Sequence, residues 1–111
     1  MSELKKATME HYDRLASCRT HTDFCNEGWT ADSCPLCQVY HPGIVIGIHE
    51  REPCTGCPVK NKTGHGFCRT TPWSNIDYDI DTMLARVLEE PLPSVLEMRE
   101  FLESLDWSNI P

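Results

Sequence analysis

Residues 34–57 read CPLCQVYHPGIVIGIHEREPCTGC, and how this stretch folds decides the architecture. Two Cys-x-x-Cys pairs, Cys34/Cys37 and Cys54/Cys57, stand sixteen residues apart. That spacing is the pattern of a four-thiolate zinc site. Between the pairs, Gln38 to His41 and Ile44 to His49 read as two short strands, with Pro42-Gly43 as the turn. Ile44, Ile46 and Ile48 would then share one face. Pro35 and Pro58 stiffen the two knuckles, and the hairpin would bring their ends together. The expected fold class is a small zinc-stapled α+β domain built on a central zinc-knuckle β-hairpin.

Outward from this stretch, the chain divides into three parts. Residues 1–29 form an N-terminal helix and loop, 30–73 the cysteine-rich hairpin, and 74–111 an acidic helical hairpin, all in one domain of 1–111. The first helix runs from Ser2, as cap, to about Ala16, with Leu4, Thr8, His11, Tyr12 and Leu15 near the 3.6 period. Cys18 to Trp29 lacks a clear period and reads as loop, with Trp29 as a core anchor. Val59 to Arg69, punctuated by glycine, reads the same way. The penultimate helix is expected to start at Asp79 and carry Ile80, Met83, Leu84, Val87 and Leu88 on one stripe. Glu90-Pro91 ends it. Ser94 and Glu97 suggest a capping box for the last helix, whose apolar set is Val95, Met98, Phe101, Leu102 and Leu105.

Charge narrows the function. The net charge is −7. From Ser74 on there are nine acidic residues (Asp77, Asp79, Asp81, Glu89, Glu90, Glu97, Glu100, Glu103, Asp106) against Arg86 and Arg99 alone. A phosphate backbone demands clustered cations. Lys60, Lys62 and Arg69 are the only central group on offer, so direct nucleic-acid binding is disfavoured. No apolar run is long enough to span a membrane. The opening MSELKKATMEHYDRL lacks an apolar signal core, and the cysteine count of seven is odd. Both point to reduced thiols in a cytoplasm rather than a secreted disulfide scaffold.

The expected metal ligands are Cys34, Cys37, Cys54 and Cys57 around one structural zinc ion. Cys68, or His41, His49 or His65, could replace one of them. Zinc is the better fit, although the same four thiolates also hold a single iron. A closed four-cysteine set leaves no open position for catalysis. Cys18, His21, Cys25 and Cys68 make a weaker second constellation, whose bland alternative is packed thiols and an exposed histidine. A Cys-x-x-Cys redox catalyst wants one pair at a helix start in a βαβ setting, and here two pairs flank a hairpin. The hydrolase and phosphate-loop signatures are missing from the sequence.

Trp29, Cys34-Pro-Leu-Cys37, Cys54-Thr-Gly-Cys57-Pro58-Val59, Thr63-Gly64 and Cys68-Arg-Thr-Thr-Pro72-Trp73 together resemble a group of small cysteine-rich proteins of tailed bacteriophages. His11-Tyr12-x-Arg14-Leu15 is similar too, so the likeness covers about residues 9 to 73. The resemblance implies a phage or prophage setting, zinc binding and a motif role for Cys68. It leaves Cys18 and Cys25 outside the pattern. The expected function is a non-enzymatic zinc-binding accessory protein, acting on another protein through an acidic helical surface, with a host factor as one candidate partner. The alternatives are an acidic inhibitor that imitates DNA and a nucleic-acid-binding zinc module.

Overall fold

The computed structural model describes residues 2–30, 33–40, 56–64, 71–108 and 110. Six helices appear in order: α1 (Glu3–Ser17), α2 (His21–Glu27), α3 (Pro35–Tyr40), α4 (Pro58–Thr63), α5 (Trp73–Met83) and α6 (Pro93–Glu103). The described residues are 67% helix and contain no strand, which overturns the expected α+β fold with its central hairpin. The first expected strand, from Gln38, is the second half of α3. The second, Ile44 to His49, lies outside the described residues.

The chemistry of residues 35–40 explains the correction. Pro35 stands at the first helical position, where its missing N–H costs nothing and its fixed φ suits a helix. A strand would place Cys37 and Val39 on one face. The helix instead buries Leu36 and Cys37, brings Tyr40 against the core, and leaves Val39 exposed. Six residues are too few for periodicity alone to separate the two readings.

Two further helices replace expected loops. At α2, Thr20 accepts from the Asp23 N–H at 3.1 Å while the Asp23 carboxylate accepts from the Thr20 N–H at 3.2 Å. This reciprocal capping box lets a seven-residue helix form. At α4, Pro58 opens the helix and Gly64 closes it in the left-handed region, its N–H donating to the Lys60 carbonyl at 2.7 Å. Proline first and glycine last is the asymmetry a short helix needs.

The C-terminal helices keep their existence but not their boundaries. Helix α5 starts at Trp73, six residues before Asp79, and its buried stripe is Ile76, Ile80 and Met83. It ends at Met83 because Leu84 adopts φ 51°, outside helical space. Leu84 and Val87 therefore face solvent, while Leu88 is drawn inward and its N–H donates to the Arg19 carbonyl at 2.8 Å. Ser94 is not the cap of α6. It is buried in the first turn, and its hydroxyl donates to Asp79 Oδ2 at 2.9 Å. This bond joins α5 to α6 across the connection.

The core is one cluster fed by all six helices. Helix α1 packs against α6, α3 and α2, and α5 against α6 and α2. Lys5 pairs with Glu103 and Asp13 with Arg99, so α1 and α6 run antiparallel. Phe24, Ile76, Ile80 and Val95 are fully sealed. Each such side chain stabilises the fold by about 1.5–3 kcal/mol relative to exposure. Trp107 folds the tail back, its indole N–H donating to the Leu102 carbonyl at 2.8 Å. Among the described residues, no helix is long and apolar enough to cross a membrane.

Gly28, the C-cap of α2, has φ 83°, and an added Cβ would sit 2.2 Å from Ser33 Oγ. Gly28→Ala should cost roughly 1–3 kcal/mol, read as a lower midpoint in urea unfolding. His11 is 3% exposed, with Nδ1 3.9 Å from Glu27 Oε1. Burial lowers its pKa below 6.5, the Arg14 charge lowers it further, and Glu27 opposes both. Below about pH 6.5 the unfolded chain takes up a proton that the folded chain refuses. Stability should therefore fall as the pH drops through this window and level off above it. The slope should flatten in His11→Gln, measured by unfolding across the same pH range.

Candidate metal centre and thiol sites

Cys34 and Cys37 are brought together by the first turn of α3. A hydrogen bond from Cys37 pulls the Cys34 thiol well below the usual range, against the effect of its burial, and the Cys37 and Leu36 N–H groups help. A sulfur at a helix start meets unpaired N–H donors, which favour the thiolate. Two soft donors from one tight turn are half of a tetrahedral thiolate set.

The second knuckle sits at the start of α4. Cys57 is its N-cap residue and is buried. The end of α3 lies against it, since a Cβ on Gly56 would be 3.4 Å from Tyr40 Cε1. Burial pushes the Tyr40 phenol up, and the Cys57 charge adds to the rise. The two knuckles thus touch opposite ends of one short helix. The structure does not gather Cys57 with Cys34 and Cys37. Among the described residues, no three of His, Cys, Asp or Glu come together as a metal group. Cys54 and the alternative ligands Cys68, His41, His49 and His65 lie outside the described residues, as does Arg69 of the basic group. The donor types fit zinc or iron, and the described geometry supplies the Cys34/Cys37 half of the set.

The second constellation separates. The Cys18 thiol donates to the Arg14 carbonyl at 3.4 Å, one turn back on α1. Burial pushes it up to about 11, with Asp23 and Glu27 adding to the rise. A thiol so held is a poor ligand and a poor nucleophile. Cys25 projects from α2 on the outside, with Sγ 3.5 Å from His21 Nδ1. The i, i+4 spacing of His21 and Cys25 carries this pairing, but it is visible only once residues 21–27 are read as helix.

A tryptophan clasp lies between α2 and α5. The Trp29 indole N–H donates to Asp77 Oδ1 at 3.0 Å, and the Trp73 indole N–H donates to the Trp29 carbonyl at 2.9 Å. Sequence reasoning identified Trp29 as an anchor but not its partners, which are 44 and 48 residues away.

Comparison of the chain with protein-family models, with curated proteins and with solved structures returns no match. The functional reading therefore rests on the side chains themselves. Their contrast is testable by alkylation of the metal-free chain under mildly alkaline native conditions. Iodoacetamide should label Cys25 early and Cys18 only on unfolding, as located by peptide mass mapping.

Proposed function

We propose that the protein is a non-enzymatic binding module, stapled by a metal at its cysteines, that docks on another protein through its acidic C-terminal helices. One observation carries this reading. Four of the five large apolar side chains exposed among the described residues, Tyr78, Leu84, Val87 and Leu96, fall between positions 78 and 96, the fifth being Val39. The same segment carries Asp79, Asp81, Glu89 and Glu90. Apolar side chains left in water beside four carboxylates, with Arg86 the one basic residue of the segment, are the composition of a docking surface: the apolar groups supply affinity, and the acidic excess steers a basic partner.

The staple is zinc or iron on Cys34 and Cys37, with Cys54 and either Cys57, which ion binding would have to draw toward that pair, or Cys68 as the remaining ligands. The metal-type spacing of Cys34/Cys37 and Cys54/Cys57 supports a reducing cytoplasm, which keeps such thiols available as ligands, as the working compartment. The resemblance to phage cysteine-rich proteins supports an infected bacterial host as the setting.

Two measurements test the reading. Elemental analysis of the native protein should find one zinc or iron per chain, reduced to background in Cys34→Ser and Cys37→Ser. A Leu84→Glu/Val87→Glu double variant should keep its helical circular dichroism and metal but lose a stoichiometric protein partner retained by the wild type, by about tenfold or more in affinity. Equal capture of that partner by both proteins would remove the assigned surface. A metal-free native chain would remove the staple.

A further inference from the structure

Residues His21 and Cys25 stand one turn apart on α2, one half-buried and the other exposed. Cys25 Sγ and His21 Nδ1 are 3.5 Å apart. Zinc binds sulfur at about 2.3 Å and imidazole nitrogen at about 2.0–2.1 Å, so the sulfur–nitrogen edge of a zinc tetrahedron is about 3.6 Å. The side chains already stand at the separation that a bound ion requires.

The histidine is also supported from behind. Its ring meets Trp29 edge-on, with centroids 6.2 Å apart. The Trp29 indole is itself held by Asp77 on α5. Packing of this kind restricts the orientation of the imidazole ring. Cys18 is turned away toward the Arg14 carbonyl, so it is not the third donor.

We propose that His21 and Cys25 form a second metal site, a two-point chelate for a zinc-class divalent cation, open to water at its remaining positions. Binding forms one metal–sulfur and one metal–nitrogen bond, displaces two waters from the ion, and releases the thiol proton to solvent. No electron changes hands. The site is independent of the Cys34/Cys37 staple: it lies on another helix and shares none of the staple's ligands.

Cobalt(II) is the probe, because its thiolate bond absorbs visibly and its open shell quenches nearby indole fluorescence. The folded chain is loaded with zinc, stripped of weakly held ion on a chelating resin, and titrated with Co(II). The expected result is one Co(II) per chain, with a thiolate charge-transfer band and partial quenching of tryptophan fluorescence. His21→Ala and Cys25→Ser should each lose both signals while their helical circular dichroism stays unchanged. Trp29→Phe should keep the band and lose the quenching. A wild-type titration without a thiolate band, or with the same band in the two ligand variants, overturns the proposal. Elemental analysis of the resin-stripped chain, before cobalt is added, reads the staple separately, so either site can fail without the other.

Discussion

The antiparallel seam between α1 and α6 is the constraint on which the other helices depend. Among the described residues no helix exceeds fifteen residues, and the other five have eleven or fewer, with faces too narrow to stand alone. Isolated helices of that length are marginal in water. Met9, Tyr12 and Leu15 on α1 and Val95, Met98 and Leu102 on α6 join one continuous core. Lys5–Glu103 and Asp13–Arg99 set the direction of the pair, although such exposed ion pairs contribute little energy. With that seam formed, α5 closes one side through Ile76, Ile80 and the Asp79–Ser94 bond.

Around this seam the short helices are attached by polar contacts of long sequence range. Trp29, Asp77 and Trp73 bind the end of α2 to α5, and the Leu88 N–H on the Arg19 carbonyl binds the loop after α5 to the α1–α2 corner. Arg14 and Glu27 link α1 to α2 beside the buried His11. Each partly buried bond satisfies a group that would otherwise lose water without replacement. Of the carboxylates of α5 and α6, Asp81, Glu97 and Glu100 are left exposed on the surface, while Asp77, Asp79 and Glu103 bond Trp29, Ser94 and Lys5.

The thiols show how one residue type takes several roles by placement. Cys18 packs against a carbonyl and is held neutral. Cys34 meets Cys37 and helix-start N–H groups and is held toward thiolate. Cys57 is buried beside a tyrosine, and Cys25 faces solvent next to an imidazole. The paired spacing made Cys34 and Cys37 legible as ligands, because two sulfurs three residues apart meet in any tight turn. The spacing could not place Cys57, whose distance from them depends on the path of residues 41–55.

By itself the sequence determined α1 with its Ser2 cap, the existence of two C-terminal helices and the acidic bias of the last third. Those features rest on local periodicity, capping and composition. It also contained signals that a reading for loops passes over: Thr20 with Asp23, and Pro58 with Gly64, bracket helices too short to show a period. Only the tertiary structure decided that residues 35–40 are helical, that Ser94 bonds Asp79 instead of capping α6, and that Leu84 and Val87 face water. In each case the local pattern fits two conformations of similar energy. The choice falls to whichever one buries Leu36, Cys37, Ser94 and Leu88 against neighbours far away in the chain.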